Sequence, residues 1–137
     1  FTYHHSRVDG WVSVYNAIRD SGLRIIQVIP IKADMSISVS IQAARTPINY
    51  NLVFICKKHS AGEVEACSID EATEGIRRTL EKMSKKELSF SKGDRTVLLY
   101  GHALKYLSSK RIINTSTDGI EEVINSLLSN GQLSELI

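Results

Sequence analysis

Two apolar, β-branched runs constrain this chain most: Leu23–Ile31 (LRIIQVIPI) and Tyr50–Lys57 (YNLVFICK). Near-continuous apolar runs of this length, bounded by turn residues, are the pattern of buried strands. Between them lies Met35–Ile48 (MSISVSIQAARTPI), which is mostly polar and alternating. Parallel neighbours need a crossover, usually helical, and none is available here. The two strands are therefore expected to pair antiparallel. The intervening segment reads either as a short edge hairpin or as a long loop of the kind that lines active sites. Pro30 lacks a ladder donor and is expected to end the first of the two strands.

The rest of the chain extends this pair into an α/β unit followed by helices. Phe1–His4 has β-favouring residues at alternate positions and reads as the end of a strand. Ser6 or Asp9 can cap the helix that follows, in which Trp11, Val14, Tyr15 and Ile18 make one apolar face. Ser21-Gly22 is a helix stop, with Gly22 free to turn left-handed. Residues 59–67 form a polar linker. Ser68-Ile69-Asp70-Glu71 fits a capping box, and Ile69, Ala72, Ile76, Leu80 and Met83 follow at helical steps. Ser91–Ser109 reads as a second helix of this region, with Asp94 in its first turn and Val97, Leu98, Leu104 and Leu107 apolar. Gly101 inside it costs about 1 kcal/mol relative to Ala and points to close packing. Thr117–Ser129 is the third. The expected organisation is an α/β portion at 1–58, the linker, and a helical region at 68–137.

Composition narrows the function classes. At 137 residues, with 42% hydrophobic and 23% charged, the chain suits one compact domain and excludes a disordered or disulfide-stapled one. No apolar run approaches the roughly 20 residues of a membrane span, so no membrane role is expected. Cys56 and Cys67 form no CxxC and have no His at zinc spacing, which argues against a metal site and for a reducing, cytoplasmic setting. The net charge of +2 is uneven: residues 1–58 hold seven Lys/Arg against three Asp/Glu, and the remainder ten against twelve. A basic first half is compatible with a polyanionic partner such as nucleic acid.

His4 and His5 close the first strand, and ligands of open α/β sheets bind outside carboxyl ends of strands. Two readings stand side by side. The pair orients a substrate or moves a proton, or one ring caps the next helix while the other is solvated. Lys32, Asp34 and Met35 follow the second strand, where a binding group and a plain turn are equally open readings. These five residues are the substrate-side candidates. His59, in the polar linker, reads as solvated, and His102 as a packed or half-exposed imidazole. Ser36, Ser38 and Ser40 have no base at a recognisable spacing. The sequence has no Gly-rich phosphate loop, GxGxxG, GxSxG or HExxH, so no catalytic residue is assigned.

Three segments together resemble a family. FTYHHSRVDGWVSVYNAIRDSGLRIIQVIPIKADMS is similar to the C-terminal catalytic-domain region of adenine-specific DNA methylases, which are S-adenosylmethionine-dependent amino-methyltransferases. The matching positions are Phe1, His4, Trp11, Ala17, Ser21, Gly22, Pro30 and Asp34. INYNLVFICKK resembles the family's final strand, ending in Cys56, Lys57 and Lys58. FSKGDRTVLLYGHALKYLSS resembles a helical segment through Asp94, Gly101, Ala103, Leu104, Tyr106 and Ser108, with Leu107 inserted. The resemblance implies a Rossmann-like methyltransferase sheet. Its last strand would insert antiparallel between Phe1–His4 and Arg24–Ile29. It also implies S-adenosylmethionine as cofactor and DNA as partner of a parent protein, because the family's cofactor loop and Asp-Pro-Pro-Tyr type motif match no position here. A chain that opens inside a strand is expected to be a fragment, inactive alone. Its cut sheet edge should self-associate or pair with the N-terminal part. The alternative is a non-enzymatic module, derived from a methyltransferase fold, that binds nucleic acid or protein.

Overall fold

In chain order the elements are β1 (Thr2–Tyr3), α1 (Val8–Asp20), β2 (Leu23–Lys32), β3 (Tyr50–Lys58), β4 (Glu65–Cys67), α2 (Ile69–Ser84), α3 (Lys92–Ser109), β5 (Lys110–Ile112) and α4 (Gly119–Ser129). The computed structural model describes residues 1–33, 48–60, 62, 65–85, 89–112 and 119–129. Asp34 and residues 35–47 of the expected hairpin or loop lie outside them. No helix among the described residues is long and apolar enough to cross a membrane.

The two apolar runs pair antiparallel as expected. β3 is the centre of a three-stranded sheet in the order β1-β3-β2 and is antiparallel to both neighbours. It follows that β1 and β2 run parallel to each other, joined by α1. Strand β2 does not stop at Pro30. It continues through Pro30, opposite Leu52, to Lys32 opposite Tyr50. In the described sheet β2 is an edge and pairs on one side only, so a missing donor is tolerated.

One irregularity sets which side chains of β2 face the core. Ile25 pairs with Cys56 and Gln27 with Ile55, leaving Ile26 as an extra residue. Ile25 and Val28 are both buried although three positions apart. Strict alternation would turn one of them out, and the bulge restores the register.

The core lies on one face of this sheet, under α1 and α3. Trp11 is fully buried, with its ring edge-on to Tyr3 at 5.0 Å, stacked on Tyr100 at 5.5 Å and 6.2 Å from Phe54. Its Nε1 donates to the His5 carbonyl at 2.8 Å, which satisfies the ring's one donor. The expected cap of α1 is corrected: the N-cap is Arg7, and no side chain caps it. Ser21-Gly22 does end the helix, with Gly22 at φ +64°, where a Cβ would be strained.

Helix α3 lies directly on the sheet because Gly101 has no side chain. A Cβ there would stand 2.3 Å from Leu52 Cδ1. Both ends of α3 are fastened. At its start Ser91 and Asp94 form a capping box. The fully buried Asp94 carboxylate also accepts from Asn49 N at 2.6 Å, Tyr50 N at 3.1 Å and Asn49 Nδ2 at 3.2 Å. At its end Ser108 Oγ accepts from Ile25 N at 2.8 Å, and the Ser108 carbonyl accepts from His59 Nε2 at 2.7 Å.

The segment read as a polar linker carries β4, which pairs in parallel with β5, and Lys110 and Glu65 form an ion pair across it. Helix α2 begins with the capping box read from Ser68 and Glu71. Ala72, Ile76 and Leu80 of α2 and Val123 and Ile124 of α4 join the same core cluster as Trp11, Leu52 and Phe54.

Candidate functional site

The register brings candidate residues to one end of the sheet. Tyr3, Leu52 and Pro30 stand in one row, and Ile31 pairs with Asn51 and Lys32 with Tyr50 in the next two. His4 follows Tyr3 on β1, and its Nδ1 is hydrogen-bonded to Asn51 Oδ1. An amide oxygen only accepts, so the ring donates from Nδ1, and in its neutral form Nε2 is the acceptor. His4 is exposed, with no further partner for Nε2 among the described residues.

His5 is held differently. Its Nδ1 accepts from the Arg7 backbone N at 3.0 Å, and its ring lies parallel to Tyr3 with centroids 6.3 Å apart. Gly10 provides the room: a Cβ there would come within 2.7 Å of the His5 ring and of the Tyr3 hydroxyl. The His5 ring thus braces the turn into α1. Burial, with the Asp9 carboxylate nearby, raises the Tyr3 phenol above its ordinary value, so it stays a neutral donor.

Lys32 is exposed at the end of β2. Asp34 and Met35 lie outside the described residues. Of the five candidates, His4, His5 and Lys32 therefore share the end at which the parallel strands β1 and β2 finish. An imidazole acceptor beside a carboxamide, with an ammonium donor in the adjacent row, can hydrogen-bond a polar substrate on an open rim. It contains no activated nucleophile.

Other titratable groups lie away from this rim. Burial raises the Cys56 and Cys67 thiols, Cys67 with a further push from Glu71, so neither is poised as a thiolate. His59 is not solvated as its polar surroundings implied: it is half-buried and holds the end of α3. His102 is 5% exposed, and burial, helped by Lys105, lowers it to about 4, so it is neutral at pH 7. Among the described residues no three His, Cys, Asp or Glu side chains converge to hold a metal ion.

Sequence reasoning missed Asn51, which positions His4, and the second role of Asp94. Asn51 sits in an apolar strand, and only the register reveals its neighbour. Asp94 was legible as a first-turn residue, but its bonds to Asn49 and Tyr50 span more than 40 residues of chain. No family model matches the chain, and no curated protein or solved structure matches it.

Proposed function

We propose that this chain is the C-terminal part of the catalytic domain of an S-adenosylmethionine-dependent DNA amino-methyltransferase. The observation that carries the reading is the strand order: β3 antiparallel between β1 and β2, with α1 crossing between two mutually parallel strands. That is the arrangement which the resemblance implies for the end of such a sheet.

Under this reading the cofactor is not held at the turn after β1. The one turn that leads from a strand of this sheet into a helix, after β1, is filled by the Tyr3, His5 and Trp11 rings. Its one glycine, Gly10, faces the His5 ring and the Tyr3 hydroxyl. Under this reading the cofactor loop and the groups that accept the target amine's hydrogens belong to the part of the domain ahead of Phe1. His4 and Lys32 then line the substrate side of the sheet, where ligands of open α/β sheets bind. Action on a base amino group also calls for extrusion of the base from the duplex. An exposed rim gives it somewhere to go.

The test begins with the reading frame upstream of Phe1, which should encode a Gly-rich strand-to-helix loop and an Asp-Pro-Pro-Tyr type motif. The full product should transfer labelled methyl from S-adenosylmethionine to DNA, whereas the 137-residue chain should not bind the cofactor by calorimetry. An upstream frame without either motif would sink the reading. Salt-dependent DNA binding by the chain, with no cofactor binding by the full product, would favour the non-enzymatic module instead.

A further inference from the structure

We propose that His4, Asn51 and Ile31 form a seat for an unpaired base bearing an exocyclic amine, with Asn51 as the positioning residue that sets its preference. The proposal deepens the methyltransferase reading and rests on it for the source of the base, a duplex opened at the target. Under that reading the target's own amine hydrogens are accepted ahead of Phe1, so this seat reads a second base.

The three residues make one row across the sheet. Asn51 of β3 pairs with Ile31 of β2, and His4 meets Asn51 from the end of β1. Side chains alternate along a strand, so Asn51 and Ile31 lie on the face opposite the buried Leu52 and Phe54. Val53, paired with Thr2 on one side and Ile29 on the other, makes the next row of the same face. His4 is exposed, Ile31 is 41% exposed, and Ile29 and Val53 are half-buried. From His4 to Ile31 the row spans two strand spacings, about 10 Å, which is room for one nucleoside. It offers an aliphatic floor with a polar group at one side. Bases taken out of a duplex are read in that way, by apolar contact on the ring face and hydrogen bonds along its edge.

Asn51 decides which hydrogen bond the polar side offers. Its Oδ1 accepts from His4 Nδ1, so the neutral ring keeps its proton there and Nε2 is a bare acceptor. A bare imidazole nitrogen takes an N–H. A phosphate oxygen brings only lone pairs and is refused. The amines of adenine and cytosine supply the N–H that fits. Without the Asn51 carbonyl nothing in this row holds the proton on Nδ1, and the seat loses its preference for an amine.

The experiment uses the 137-residue chain, isotope-labelled at histidine nitrogens and isoleucine methyls, and reads it by NMR. At neutral pH the His4 ring should show a protonated Nδ1 and a bare Nε2. Asn51→Leu should abolish that fixed tautomer, and Asn51→Asp, which keeps an accepting oxygen, should restore it. Adenosine should shift the His4 ring and the Ile31 methyls at concentrations at least about fivefold lower than purine riboside, the same nucleoside without the amine, as expected for one hydrogen bond. His4→Phe, with ring surface but no acceptor, should respond to the two nucleosides alike. A protonated Nε2 in the unsubstituted chain would overturn the role of Asn51. Equal responses to both nucleosides, or none at Ile31 to either, would overturn the seat while leaving the methyltransferase reading intact. An upstream frame with neither cofactor motif would remove that reading, and the opened duplex as source of the base, without touching the seat's choice between the two nucleosides.

Discussion

Both faces of the β1-β3-β2 sheet carry large aliphatic residues, and those residues have opposite fates. Leu52 and Phe54 of β3 are buried beneath α1 and α3, while Ile55 of the same strand and Ile31 of β2 stand at the surface. Aliphatic content alone does not separate the faces, although the open one also carries Gln27 and Asn51, opposite Ile55 and Ile31. What separates them is that one has helices fastened to it, at Asp94 and at Ser108, and the other has none among the described residues. A hydrophobic strand residue therefore contributes according to what covers it, at roughly 25 cal/mol per Å² of apolar surface removed from water.

Substitution on the covered face should give the largest effects. Trp11→Ala empties the space between Tyr3, Tyr100 and Phe54 and leaves the His5 carbonyl without its partner. A loss of about 4 kcal/mol is expected in urea unfolding followed by circular dichroism. Next comes the fastening itself. Asp94→Ala removes a fully buried carboxylate and leaves the partly buried backbone N–H groups of Asn49 and Tyr50 without their acceptor. About 3 kcal/mol should be lost, with amide exchange at those two residues accelerating first.

Acid probes the same core through His102. Its folded value of about 4 lies below the ordinary 6.5. Between those values the unfolded chain binds a proton that the folded chain does not. Stability from this group is therefore full above pH 6.5 and falls as pH drops toward 4, by about 3 kcal/mol in all. His102→Leu should flatten that part of the pH profile, read as unfolding midpoints at pH 7 and 4.5. An unchanged slope would mean that His102 is reached by solvent.

Smaller effects belong to the sheet's margin and its open face. Gly22→Ala forces a Cβ into a backbone at φ +64° and should cost about 1 kcal/mol. Ile31→Thr, on the open face of β2, should shift the stability of the 137-residue chain by less than about 0.5 kcal/mol. A loss as large as that of a core residue would show that the two faces are not as different as their exposure indicates.

The sequence carried its local signals well. The capping box at Ser68 and Glu71, the helix stop at Gly22 and the tight approach at Gly101 all concern residues close in sequence or a side chain that is absent. The antiparallel pairing of β2 with β3 was also readable, from two apolar runs without a crossover between them. Of the candidate rim, His4, His5 and Lys32 could be placed at strand ends. That Asn51 orients His4 while Arg7 N holds His5 could not.

What the tertiary structure alone decided are matters of register and distance. The extra residue at Ile26 turns Val28 inward, the Asp94 carboxylate reaches back to β3, His59 leaves solvent for the Ser108 carbonyl, and β4 finds β5 across two intervening helices. A single-residue slip reverses which side of a strand is apolar, and no local pattern encodes it. A polar side chain can bond wherever a partner is brought, and the fold chooses the partner. Local chemistry thus determined the elements of this protein, and packing decided which face of the sheet is closed and which histidine meets the rim.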